Sequence, residues 1–372
     1  MLRRAVIGCP HDAGDRRQGE AERHALHEQT GGKPLLLRWV AGQLGRGSCR
    51  TLADALKFLQ SCPPDNDPLE FIFGDLAQEF TEDETKILCA LSYFSLPSKV
   101  EHLVKLVELD KDTIGIALRT LANSSLVIPD SEETAFTLVP MVADFLRRVR
   151  PEVVAETGTR LEQCAYALIL ENGYEEYGRF SLLDDAWPMV SPAFPIFVTG
   201  PNQRLQTVCF ALTFFLNFTG RWDERLTLFQ QAETKAIENG DFDNAAWRAY
   251  QLGMVHYRRQ QADAVLACAD RAVAHWQSAQ FGLRERATAT LLLGHGYRLK
   301  KDYLAAISAY RKALMLRRSL SAESREVAIA LNNLAIAEQL SGDWEAAEQN
   351  YREALRVARV VGYFEGEATY IG

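Results

Sequence analysis

Few side chains in this chain are spaced for chemistry. Cys9, His11, His24 and His27 are of metal-binding types, but their spacing matches no common ligand pattern. Arg23-His24 and His27-Glu28 fit a solvated, charged helix better. Glu175-Glu176 and Asp184-Asp185 are paired carboxylates, yet neighbours on a helix diverge and do not flank a substrate. No Gly-x-Ser-x-Gly nucleophile turn occurs. Gly32-Lys33 has no earlier glycine at the spacing a phosphate cradle needs, and Pro34 follows where Ser or Thr would stand. No catalytic residue and no metal ligand is assigned on these grounds. The chain reads as a binding and regulatory protein, not an enzyme.

The elements that could position binding side chains are repeats. Leu252-Gly253, Leu293-Gly294 and Leu334-Ala335 recur every 41 residues. Val265, Ala306 and Ala347 keep step with them, as do Ala272, Ala313 and Ala354. A fixed period of this length predicts stacked helical hairpins, none of which buries its apolar face alone. Small residues at these positions let the two helices of a hairpin approach closely, and leucine and aromatic side chains fill the space between hairpins. A large residue at Ala306 is expected to overpack, at a cost of about 1–3 kcal/mol.

The fourth copy joins Leu331, Leu334-Ala335, the turn Gly342-Asp343-Trp344, Ala347, Tyr351 and Ala354-Leu355. This pattern resembles the tetratricopeptide repeat, in the extended form found in kinesin light chains and bacterial regulatory ATPases. The third copy has Lys301-Asp302-Tyr303, Tyr310 and Ala313-Leu314. The second has Ala269 where the others have tyrosine, and a degenerate first copy runs from Leu212 through Gly220-Arg221-Trp222 to Phe229 and Ala232. The resemblance implies that the first helix of each hairpin lines a concave groove. Carried over by position, that groove displays Tyr250, Tyr257, Arg258, His295, Arg298, Asn332 and Gln339. Such side chains suit an extended or helical, acidic peptide. Gly366 to Gly372 reads as the start of a further helix, so the array is expected to continue past the last residue.

At 372 residues, roughly two or three domains are expected. No apolar run reaches the length of a membrane span, and Cys9-Pro10-His11-Asp12 interrupts any leader-like stretch. Seven scattered cysteines, never in a Cys-x-x-Cys pair, point to a reducing cytoplasm. Net charge is −8 but unevenly placed. Residues 68–145 carry 14 acidic and 5 basic side chains, whereas residues 246–362 carry 17 basic and 11 acidic.

Within 68–148, Thr81 to Glu84 starts a helix. Pro97-Ser98 opens a second, with Val100, Leu103, Val104, Leu106 and Val107 inward. Asp112-Thr113 caps a third, with Ile116, Leu118 and Leu121 inward. Leu126 to Ile128 and Ala135 to Leu138 then form a β-hairpin. Three helices and a hairpin make a winged-helix pattern. Its third helix has one basic residue, Arg119, in an acidic segment, which disfavours phosphate contact and so nucleic acid.

Upstream, Thr30-Gly31-Gly32-Lys33-Pro34-Leu35 opens an apolar helix. Its place before a winged helix and repeats resembles signal-transduction ATPases of the NB-ARC (STAND) type. The resemblance implies that Pro34 touches a nucleotide base when a nucleotide domain is present. It also implies that Val139, within Leu138-Val139-Pro140, replaces the histidine that senses phosphate. The fold expected is mostly α: a partial helical domain over 1–62, a winged helix over 68–148, a helical connector over 150–205 and an α-solenoid over 206–372. The function expected is the sensor portion of such an ATPase, cytoplasmic, with a protein or peptide partner. No cofactor is expected, ATP or ADP belonging only to a longer parent. A free-standing repeat scaffold is the alternative, and a winged-helix transcription regulator the third reading.

Overall fold

A computed structural model describes residues 21–28, 30, 37, 40, 51–62, 71, 73–75, 77–364 and 366. The chain is mostly helical and divides into two compact units. One comprises Met1–Glu171 with Ser181–Ile196, the other Asn172–Phe180 with Phe197–Gly372. Among the described residues no helix is long and apolar enough to cross a membrane.

In the first unit, α1 (Leu52–Gln60) and α2 (Glu82–Leu91) each begin with a reciprocal cap, Thr51 with Asp54 and Thr81 with Glu84. There follow β1 (Ser98–Lys99), α3 (Val100–Val107), α4 (Lys111–Asn123), β2 (Val127–Pro129) and β3 (Ala135–Leu138). The strands form one antiparallel sheet in the order β1-β3-β2, with Ser98 opposite Phe136 and Val127 opposite Leu138. Leu88, Leu91, Leu103, Leu106, Leu118 and Leu121 are its buried core.

Two helix starts differ from expectation. Ser98 does not open a helix; its backbone pairs with β3, and α3 begins after it. The third helix is capped by Asp110, whose carboxylate accepts the N–H groups of Asp112 and Thr113 at 3.0 and 2.9 Å. Ile114, Ala117, Leu118 and Leu121 then take the inward face at helical spacing, and Ile116, expected inside, is turned out and 60% exposed.

After α5 (Pro140–Val149), the long α6 (Pro151–Asn172) lies against this core. Tyr93 Oη donates to the Val154 carbonyl at 2.7 Å, and Gly158 faces the Tyr93 ring with no room for a Cβ. Then α7 (Phe180–Asp185), α8 (Trp187–Val190) and α9 (Phe194–Thr199) are short. Pro188 and Pro195 each occupy the first turn of their helix, where the missing N–H costs least, and each stops continuation from the helix before.

Among the described residues the second unit is an α-solenoid of four hairpins: α10 (Asn202–Phe218) with α11 (Trp222–Glu238), α12 (Phe242–Arg258) with α13 (Ala262–Ser278), α14 (Leu283–Leu299) with α15 (Tyr303–Leu320), and α16 (Arg325–Ser341) with α17 (Trp344–Val360). The residue inside each hairpin turn has a left-handed backbone: Gly220, Gln260, Lys301 and Gly342, with φ of 72°, 59°, 64° and 91°. In the last two hairpins the next residues, Asp302 and Asp343, cap the second helix by accepting the N–H of Ala305 and Ala346. The close approach falls at the small residues. A Cβ on Gly253 would lie 2.6 Å from Leu292 Cδ2, and one on Gly294 would overlap the buried ring of Tyr310. In the second hairpin, where Ala269 replaces the tyrosine, the next hairpin's Leu292 fills the space.

Candidate partner-binding groove

Helix α12 shows how the groove arises. Ala245, Ala246, Ala249, Leu252 and Gly253 are buried on one face. Asp243, Trp247, Tyr250, Met254 and Arg258 recur three or four residues apart on another, and all five line a cavity of about 610 Å³. The preceding hairpin adds Phe210, Thr213, Phe214 and Asn217 from α10 and Arg225 from α11, and the following one adds Arg284 from α14. A second cavity of about 360 Å³ shares Trp247, Tyr250 and Arg284, and continues to Arg317, Ser324 and Glu326. The trough therefore runs across first helices of successive hairpins.

Aromatic rings and guanidinium groups dominate its wall. Trp247 stands edge-on to Tyr250 and to Trp276, at 5.9 and 5.3 Å between ring centroids. Arg225 is 4% exposed and Arg248 is 2% exposed, and each guanidinium lies 5.2 Å from the ring of Phe229. Arg248 donates to Gln251 Oε1 at 2.8 Å, and Gln251 donates to Thr213 Oγ1 at 2.9 Å, which ties α12 to α10. The Nε atoms of Arg225, Arg248 and Arg317 are buried and have no hydrogen-bond partner among the described residues. Burial, then repulsion from Arg258 and Arg248, brings the Arg225 guanidinium down to about 10. Asp243, the acid in the larger cavity's wall, accepts from Trp276 Nε1 at 3.3 Å, and burial raises its pKa above the ordinary carboxylate value.

The groove residues expected from sequence are placed in three ways. Tyr250 and Arg258 line the larger cavity. Tyr257, His295 and Arg298 form an internal stack: the Tyr257 and His295 rings lie 4.6 Å apart, and Arg298 donates to the Tyr257 hydroxyl. His295 is only 6% exposed and its Nδ1 is 2.8 Å from the Tyr310 hydroxyl, so this side chain supports the hairpin from inside and does not face a partner. Burial, reinforced by Arg298 and Arg317, brings it down to about 3, which keeps the imidazole neutral. Asn332 is half-buried on α16. Gln339, also on α16, accepts from the Tyr351 hydroxyl at 2.8 Å and borders a separate cavity of about 250 Å³ with Trp344 and Tyr351. Pro34 lies outside the described residues, as do Cys9 and His11. His24 pairs with Glu28 at 3.5 Å on an exposed helix face. Among the described residues no group of three or more His, Cys, Asp or Glu side chains converges as a metal site would require.

Trp247 and Met254 were within reach of the sequence, being three residues before and four after Tyr250 on the same helix face. Arg225 was not: it comes from a second helix, and only the packing of α11 on α12 brings it there.

Residues 285–359 match the tetratricopeptide repeat. They span nearly all of the third and fourth hairpins. No curated protein matches this chain. Among solved structures, it is similar to a signal transduction ATPase with numerous domains that carries a tetratricopeptide repeat sensor, from Pyrococcus horikoshii. Identity is 16%, with 93% of this chain and 52% of that one covered, at a TM-score of 0.38. It is also similar to BtubC from P. vanneervenii, at 16% identity, with 76% and 92% covered and a TM-score of 0.40. The chain thus spans about half the length of the Pyrococcus protein.

Proposed function

We propose that the trough across α10, α12 and α14 captures a protein or peptide ligand, and that the chain is the sensor portion of a signalling ATPase of the NB-ARC type. One observation carries the binding role: aromatic and arginine side chains from three successive hairpins converge on two adjoining cavities that share Trp247, Tyr250 and Arg284. Aromatic and arginine side chains are the residues that dominate recognition energetics. The ATPase assignment rests on the order of parts, a Gly-x-Pro helix start, then three helices with an antiparallel hairpin, then repeats. We read residues 68–148 as a winged helix that packs within the parent protein. On α4 only Lys111, which pairs with Glu101 at 2.9 Å, and Arg119 are basic, which argues against a nucleic-acid partner and a transcription regulator. Within this chain we assign no catalysis and no cofactor; Pro34 would contact ATP or ADP in a longer, cytoplasmic parent.

Two experiments test the two halves. Arrays of acidic peptides probed with the full chain should yield binders whose affinity falls at least about tenfold in Tyr250→Ala and Arg258→Glu. Indifference to both substitutions, or no acidic binder, overturns the groove reading. The coding sequence upstream should contain a phosphate-binding loop in frame. Its absence removes the ATPase and leaves a free-standing repeat scaffold.

A further inference from the structure

The unusual feature of the trough is a surplus of positive charge held out of water. Arg225 and Arg248 are both more than nine-tenths buried. Among the described residues the Arg225 guanidinium has neither a carboxylate partner nor a hydrogen bond. Arg248 uses one nitrogen on Gln251 and leaves its Nε unmatched. Arg258 and Arg284 add two more positive charges to the same wall, against Asp243 in that wall and Asp241, both of which act on Arg248 and not on Arg225. A buried ion without a partner is costly, because the solvation it loses is replaced by nothing. In the next two hairpins buried polar groups find partners, His295 on the Tyr310 hydroxyl and Glu338 on Arg311 and Asn350. An arginine cluster of this kind therefore reads as a preformed site for an anion.

The surplus charge chooses among anions. A carboxylate would neutralise one of the charges. A phosphate monoester carries about −1.5 to −2 at neutral pH and offers oxygens on several sides, which matches guanidinium groups arriving from α11 and α12. The space is far larger than the ion: about 610 Å³ falls in the range of sites for ring-bearing small molecules. Its remaining wall is aromatic, with Trp247, Tyr250 and Phe214 available to stack on a flat group.

We propose that the cavity between α10, α11 and α12 is a binding site for a phosphate monoester attached to a flat ring, with Arg225 and Arg248 holding the phosphate and Trp247 and Tyr250 holding the ring. This deepens the groove reading and rests on it, since it names the chemical group that the trough takes. Two sources share the chemistry: a phosphorylated tyrosine in the partner peptide, and a free nucleoside monophosphate.

Calorimetric titration of the full chain with phenyl phosphate, benzoate and inorganic phosphate tests the site. Phenyl phosphate should bind at least about tenfold more tightly than the other two. Arg225→Met should lose at least about tenfold in that affinity, yet melt no lower than the parent without ligand, because it removes an unpaired charge. Arg258→Gln, at the exposed rim, keeps the test open if the buried variant does not fold, and should weaken binding at least about threefold. A phosphotyrosine peptide that outbinds phenyl phosphate assigns the first source, and adenosine monophosphate that does so assigns the second; either supports the site. Equal or better binding of benzoate overturns it, as does no saturable binding of phenyl phosphate or full affinity in the folded variants. Unphosphorylated acidic peptides that bind normally to Arg225→Met would sink this proposal while leaving the groove reading intact.

Discussion

Gly294, Tyr310 and His295 show at the scale of single residues how the third hairpin is closed. Tyr310 is fully buried, its ring fills the space left by Gly294, and its hydroxyl meets His295. Replacing a mid-helix glycine by alanine ordinarily stabilises a helix by up to about 1 kcal/mol. Here the added methyl overlaps a ring that cannot move away, a conflict of about 1–3 kcal/mol. Gly294→Ala should therefore lower the melting temperature, and a rise would refute the close approach. His295 supplies a second test. Its folded pKa of about 3 lies below the ordinary 6.5. Between those values the unfolded chain binds a proton that the folded chain does not. The contribution is thus complete above about pH 6.5 and is lost as pH falls toward 3, by up to about 1.4 kcal/mol per pH unit. Urea unfolding of His295→Gln should show a shallower loss of stability over that window than the parent. This histidine had been expected in the groove. It lies 41 residues after Met254, which does line the cavity, but rings from Tyr257 and Tyr310 close over it. A repeat period reports equivalent backbone positions, not which neighbours cover them.

At the scale of elements, the hairpins were legible because packing demands the same small residue at the same point of every copy. Ala306 and Ala347 are buried where that argument placed them. Ala306→Phe should cost about 1–3 kcal/mol, read as a lower melting temperature; no change would mean that the copies are misaligned. Other elements were legible only in part. Ile116 and Leu118 are both apolar and two residues apart, and the face that turns inward is decided by Asp110 starting the helix two residues before the expected cap. The segment of short helices α7 to α9 has too few residues per helix to show a period at all. The trough was half legible: α12 announces it through Tyr250 and Arg258, whereas Arg225 belongs to a different helix and is revealed by contact alone.

At the scale of the whole molecule, two compact units each have a core of their own. The first unit carries essentially all of the net negative charge, whereas the second is close to neutral, its basic excess being confined to residues 246–362. Leu118 is fully buried in the first unit, and Leu118→Ala should cost about 2–5 kcal/mol there. Amide hydrogen exchange in that variant should quicken in α2 to α4 and stay unchanged in α14 to α17. Uniform quickening would show that the units melt together. The left-handed turns carry a different consequence. Lys301 and Gln280 hold φ of 64° and 57°, a conformation that side-chain-bearing residues adopt at a cost of roughly 1 kcal/mol and asparagine adopts more readily. The bends linking helices are thus reserves of thermal tolerance. Lys301→Asn and Gln280→Asn should make the solenoid hardier to heat.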